Sequence, residues 1–282
     1  MYYIQESDKP CKILRFFNCI RLRDNEIILP IQKEELTDKQ SEKLATKTYK
    51  IIKTSNCKKI VVSKEIKKQD QYLNYLYSQG LDIVDGKWLF QILSTMSLEY
   101  VCQKKNFLKA EISISILANQ VTENVIYFLK KIVKEYKRIN IVTNNINLFK
   151  NLETQIMEQY GVMVVITNNK RKSISKSQII VNFDFPTELI NKYNIYEDAI
   201  ILNLQDDVRI KSKRFNGICI NDYEIIVLNG QDFDYTKVEK FYCKDLYECN
   251  LYKKQPIEEI NKKINSDGVK IEKLYTNRGN EI

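Results

Sequence analysis

The chain has 282 residues, 44% apolar and 11% aromatic, enough for one large or two ordinary domains with a sizeable core, which excludes global disorder. Its 45 Lys and Arg against 36 Asp and Glu leave a net charge of +9, but these residues are interleaved along the chain. They read as a solvated surface, with nucleic acid a secondary partner expectation. The sequence contains no His, which removes Ser-His-Asp and Cys-His hydrolases and every His-ligated metal site while leaving carboxylate, Lys and Tyr chemistry open.

The chain opens MYYIQESDKPCK, without a cationic flank leading into an apolar stretch, and no later run approaches the ~20 apolar residues that cross a bilayer. The expectation is a cytoplasmic protein with no membrane partner. The seven scattered Cys (Cys11, Cys19, Cys57, Cys102, Cys219, Cys243, Cys249) form no CxxC pair, so reduced thiols are expected rather than a disulfide framework or zinc site.

Short apolar runs over Lys12–Phe17 and Glu26–Ile31 predict two strands, joined by a hairpin at Arg23-Asp24-Asn25. A solvent-facing helix follows from Glu34 to Ser55, with Thr37 or Asp38 as its cap. KIVVS at Lys59–Ser63 predicts a buried strand, Gln69–Tyr77 a helix stopped by Gly80, Leu81–Val84 a short strand, and Trp88–Cys102 an apolar helix. Together these make a small N-terminal α/β domain, residues 1–108.

Residues 109–230 have the clearest rhythm. Strands are predicted at Glu111–Ala118, Ile139–Thr143, Val162–Thr167, Ile179–Phe183, Ala199–Leu204 and Gly217–Ile220. Between them, Thr122–Tyr136 and Asn147–Tyr160 carry apolar residues at helical spacing, Gly161 ends the second helix, and a short helical stretch spans Thr187–Tyr193. Continuous apolar strands alternating with amphipathic helices predict a doubly wound, mostly parallel, Rossmann-like sheet covered on both faces, with ligands at the strands' carboxyl edge. The C-terminal extension, 231–282, loosens into an aromatic and charged stretch, then a helix at Pro256–Ile264 and a tail, TNRGNEI, expected to fray.

The residues that carry a resemblance are few. A first strand ending ILA runs into Asn119-Gln120-Val121-Thr122, a second ends at Thr143-Asn144-Asn145, and SQIIVNFD spans Ser177 to Asp184. This order, from Ile112 to Ile220, resembles the dinucleotide-binding domain of the shikimate dehydrogenase and glutamyl-tRNA reductase family. The resemblance implies a phosphate-binding turn after the first strand, a polar motif meeting the adenosine ribose or its 2′-phosphate after the second, and a later strand ending beside a nicotinamide. The loop Ala118–Thr122 departs from the family because it contains no glycine, whereas a tight turn and close approach of a pyrophosphate both need one. A standard NAD(P) site is therefore not expected, although the N–H groups of the helix terminus remain. The expected cofactor is left unknown.

The candidate ligand-binding residues are those at the predicted strand ends: Asn119, Thr122, Asn144, Asn145, Asn168, Lys170, Arg171 and Asp184. Asn amides offer both donors and acceptors to a polar ligand, and they equally cap helices or close turns in strand-to-helix loops. The cationic loop Lys170-Arg171-Lys172 suits a phosphate and suits solvent, as does a second cluster at Lys211, Lys213 and Arg214. Asp184 and the pair Asp206-Asp207 are strand-end carboxylates able to meet a ribose or a metal ion. No catalytic residue is identified. The leading expectation is a non-catalytic or diverged protein binding a nucleotide, a phosphorylated small molecule or a protein partner at the sheet edge. An NAD(P)-dependent oxidoreductase using Lys or Asp as its acid/base group, and a basic nucleic-acid-associated protein, are the alternatives.

Overall fold

A computed structural model describes residues 1–8, 17–31, 35–55, 59–205, 208–251 and 253–282. The protein is α/β, with two mainly parallel sheets and accompanying helices. Backbone contacts divide it into two compact units, each drawn from two stretches of chain: Met1–Gly86 with Gly230–Lys253, and Lys87–Asn229 with Lys254–Ile282. The division falls after Gly86, Asn229 and Lys253, so one cut lies at the expected boundary near 230 and none at 108. The helices after Gly86 go with the second unit, and the stretch after Gly230 is divided between the two.

The first unit is built on strands β1 (Tyr2–Glu6), β2 (Arg21–Arg23), β3 (Glu26–Leu29), β4 (Lys59–Val62) and β5 (Asp82–Ile83), in the order β2-β3-β1-β4-β5. β1 lies parallel to both β3 and β4, and β2 pairs antiparallel with β3 through a hairpin at Asp24, whose φ is 50°. The hairpin sits where the sequence predicts it, but its first strand is Arg21–Arg23. The strand expected over Lys12–Phe17 falls, except for Phe17, outside the described residues. Helices Asp38–Lys53 and Asp70–Ser78 supply Leu44, Ile52, Tyr72 and Leu76 to a core shared with Ile4, Ile27 and Ile60. Thr37 and Gln40 form the reciprocal cap of the first of these helices.

The second unit holds β6 (Ser113–Leu117), β7 (Arg138–Val142), β8 (Val165–Thr167), β9 (Ile179–Asn182), β10 (Ile200–Asn203), β11 (Ile218–Ile226) and β12 (Lys270–Thr276). They order as β12-β11-β10-β9-β6-β7-β8, parallel throughout except for β12, which runs antiparallel to β11. Counted from β6, the parallel strands follow 3-2-1-4-5-6, the order of doubly wound dinucleotide folds, so the Rossmann-like architecture is established by topology. The direction of winding reverses between β6 and β9, and such a fold has its crevice beyond the carboxyl ends of that pair.

Every residue of β9 and β10 is buried, as a strand covered on both faces requires. On one face Leu117, Ile180 and Ile201 pack with Phe185, Ile190 and Tyr193. Gly161, at φ 66°, closes helix Ile146–Tyr160 where the sequence places its stop.

Two expectations change. The helix predicted over Trp88–Cys102 is two helices, Lys87–Ile92 and Ser94–Lys104, parted at Leu93, whose ψ of 6° leaves the helical range. The tail TNRGNEI is ordered rather than frayed. Thr276 N–H donates to Asn280 O at 2.9 Å, Ile282 N–H to Leu274 O at 3.1 Å, and Tyr275 bridges Glu281. Backbone pairing with the end of β12 supplies an order that hydropathy does not encode.

Candidate functional site

In the larger sheet β6 ends at Leu117, and the glycine-free loop follows before Thr122, whose Oγ1 accepts from Val125 N–H at 3.3 Å and so caps helix Glu123–Ile132. Asp184, two residues beyond β9, turns its carboxylate into this loop. Oδ1 and Oδ2 accept from Asn119 N–H at 2.7 and 2.8 Å, and Oδ2 also accepts from Gln120 N–H at 3.0 Å. Burial pushes the Asp184 carboxyl above its ordinary value, against the opposing pull of the Asn119 and Gln120 N–H groups.

Asn119 also ties this loop to the end of β7. Its Oδ1 accepts from Asn144 N–H at 2.9 Å and its carbonyl from Asn145 Nδ2 at 3.0 Å, while Asn145 N–H donates to Thr143 Oγ1 at 3.0 Å. The structure therefore brings Asn119, Asn144, Asn145 and Asp184 into one bonded cluster at the winding reversal. Thr122 serves as a helix cap beside it.

The remaining candidates are not tied to that cluster. Asn169 Oδ1 accepts from Arg171 N–H at 3.0 Å and Lys172 N–H at 3.1 Å, an Asx turn, and the Lys170 carbonyl accepts from Asn194 N–H at 2.8 Å. Asn168, Lys170 and Arg171 are exposed, and among the described residues none bonds to the cluster. Asp206 and Asp207 lie outside the described residues.

Chemically, the N–H groups that would greet a pyrophosphate in a dinucleotide fold already hold an anion, the chain's own. A ligand phosphate at that place would have to displace hydrogen bonds to a charged group, each worth about 1.5–3 kcal/mol. The exposed Asn144 side chain makes no bond among the described residues and is open to a ligand.

Sequence reasoning missed a second amide array on the same edge. Asn182 and Asn203, fully buried at the ends of β9 and β10, join through Nδ2–Oδ1 at 2.7 Å, and Asn203 Nδ2 reaches Asn221 Oδ1 at 2.9 Å. Asn182 also donates to Phe185 O at 2.9 Å and accepts from Phe185 N–H at 2.9 Å. A signal for it exists: IIVN and IILN end β9 and β10, and ICIN opens the neighbouring β11 in matching register.

The first unit holds an unpredicted ionisable cluster. Asp245, in the first turn of helix Cys243–Asn250, is fully buried and paired with Lys67 Nζ at 2.7 Å. Burial pushes its carboxyl up to about 6, although Lys67 and Lys244 pull it down, and its Oδ1 has no partner. Lys67, Lys244 and Lys64 lie 4.9, 5.5 and 5.7 Å from the centroid of the Tyr242 ring. Gly86, at φ 78°, lets this helix approach, since a Cβ there would lie 3.0 Å from Lys244 carbons and 3.2 Å from Asp245 Oδ1. Nothing local in the sequence marks a pair 178 residues apart.

Five of the cysteines are described, all as free thiols, and Cys11 and Cys57 lie outside the described residues. Among the described residues no group of three or more Cys, Asp or Glu is placed to hold a metal ion, and no helix is long and apolar enough to cross a membrane.

No protein-family model matches the chain, and no curated protein matches it. Solved structures similar to it include L-tryptophan dehydrogenase from Nostoc punctiforme, at 6% identity and a TM-score of 0.35, over 76% of this chain and 65% of that one. The chain thus spans less than two thirds of that enzyme's length. Ornithine carbamoyltransferase from Pyrococcus furiosus matches at 11% identity and 0.30, over 74% and 73% of the two chains. Aspartate transcarbamoylase from Trypanosoma cruzi matches at 11% and 0.28, over 72% and 70%. At these values the fold assignment rests on strand order.

Proposed function

We propose that the protein is a Rossmann-like binding protein, diverged from dinucleotide use, whose larger sheet takes a polar small molecule of nucleoside type at its carboxyl edge. The observation that supports this is the Asp184 carboxylate seated on the N–H groups of Asn119 and Gln120. A chain that fills its own phosphate position favours a ligand read by amides at Asn144 and Asn145 over one held by a pyrophosphate. Kinship with the shikimate dehydrogenase and glutamyl-tRNA reductase type belongs to the same reading, as an ancestor whose cofactor loop has been replaced.

Thermal-shift titration of the full chain with adenosine, AMP, NAD(H) and NADP(H) tests it. The expected response does not grow with phosphate number: AMP and the dinucleotides stabilise no more than adenosine. In Asp184→Asn, which removes the competing charge at nearly constant shape, AMP is expected to bind about tenfold more tightly than to the parent. A parent that binds dinucleotides far better than adenosine would overturn the self-filled loop. A flat response to the whole panel would overturn the small-molecule reading.

A further inference from the structure

A cavity of about 400 Å³ opens in the second unit between the segment leading into β11 and the turn after β12. It lies at the amino end of β11, so it occupies the sheet edge opposite to the one that carries Asp184. Its size falls within the range of sites that hold small metabolites. Its walls combine the apolar Phe215 and Ile210, the amides of Asn216, Asn277 and Asn280, and one charged side chain, Arg278.

Arg278 is presented by an ordered turn. Thr276 Oγ1 accepts from the N–H groups of both Arg278 and Asn280 at 3.2 Å, and Gly279 N–H donates to Thr276 O at 2.9 Å. The guanidinium makes no ion pair among the described residues, so its donors stay available. The opposite wall is equally fixed. A Cβ on Gly217 would lie 2.1 Å from Ala199 O and 2.7 Å from the Phe215 ring, so the glycine seats that ring against the start of β11. Lys211, Lys213 and Arg214 precede Phe215 in the same segment, all exposed and none ion-paired among the described residues. With Arg278, these give the segments bordering the cavity four basic side chains, against the exposed Glu197 and Asp198 in the segment bonded to Asn216.

We infer that this cavity is a second binding site, for a small organic anion: a carboxylate or phosphate monoester forked by Arg278, on a planar apolar body packed against Phe215 and Ile210. Guanidinium matches either head group with paired N–H···O bonds, the neighbouring amides complete its hydrogen bonding, and the ring supplies the face for the body.

Calorimetric titration of the full chain with benzoate, phenyl phosphate and inorganic phosphate tests it. At least one of the organic anions is expected to bind, the better of the two identifying the head group, and inorganic phosphate to bind more weakly for want of a body. Arg278→Ala is expected to weaken that binding by about tenfold or more, and Arg278→Lys, which keeps the charge without the fork, by less. Arg278 is exposed and contributes only backbone bonds to the turn, so an unchanged unfolding midpoint certifies the variant's fold. Equal affinity in Arg278→Ala, inorganic phosphate binding as well as the better organic anion, or no heat with either organic anion at millimolar concentration would each overturn the inference.

Discussion

Raising the pH from 4 to 8 is expected to cost the protein about 2 kcal/mol of unfolding free energy through Asp245 alone, and Asp245→Asn is expected to remove that slope. The folded carboxyl titrates near 6, against an ordinary 3.8. Between those values the folded state binds more protons than the unfolded one, so stability falls as pH rises. The contribution is whole below the unfolded value and gone above the folded one. Lys67, with 26% of its side chain exposed, can rehydrate when its partner becomes neutral, so the variant is expected to be the more stable protein at pH 8. Urea unfolding of the full chain at several pH values measures the difference. Parallel profiles for parent and variant would mean that Asp245 titrates in the folded protein as it does in the unfolded chain. Asp184 shifts in the same direction and adds to the slope of the parent, but not to the difference between the two proteins.

Asn182→Ala is the second large effect. The substitution removes the Asn182 donor to Asn203 Oδ1 and strands Phe185 N–H and Phe185 O in a fully buried region, where each orphaned group costs about 1–3 kcal/mol. A loss of about 4 kcal/mol, partly relieved by local rearrangement, is the expected result, read as a lower urea midpoint at unchanged slope. Asn144→Ala removes an exposed amide from the same edge and should stay within about 0.5 kcal/mol of the parent. If the two variants lose comparable stability, the buried ladder is not what holds the ends of β9 and β10 together.

What the sequence makes legible follows from where the physics is local. The runs IIV and AIIL announce strands buried on both faces, and the periodicities of Glu123–Ile132 and Ile146–Tyr160 announce their helices, because burial is written into each segment separately. β1, YYIQE, has only Ile4 fully buried, yet it lies between β3 and β4. Its stability comes from two backbone ladders, which leave no hydropathic trace. β12, KIEKLYT, mixes charges with apolar residues as a wet edge strand does, and no element is assigned to it from the sequence.

The candidate site divides in the same way. That Asn119, Asn144 and Asn145 gather can be expected once parallel order is assumed, whereas Asn168, at the end of β8, stays apart. That Asp184 turns back onto Asn119, 65 residues away, depends on β6 and β9 being neighbours, which their spacing in the chain does not reveal. The amide ladder leaves its trace in the repeat IIVN, IILN and ICIN, which is visible only when those strands are compared with one another. The pairing of Lys67 with Asp245 was not legible at all, since it joins a turn after β4 to a helix from the far end of the chain.

The way each unit borrows from both stretches of the chain bears on how the protein is made. A nascent polypeptide that has reached Asn229 contains neither unit whole: one still lacks the helix that carries Asp245, and the other lacks its antiparallel border strand. The first body is complete only once Lys253 has been made, and the second only once β12 has followed it. A single proteolytic nick between 230 and 253 would leave two incomplete halves rather than one surviving domain.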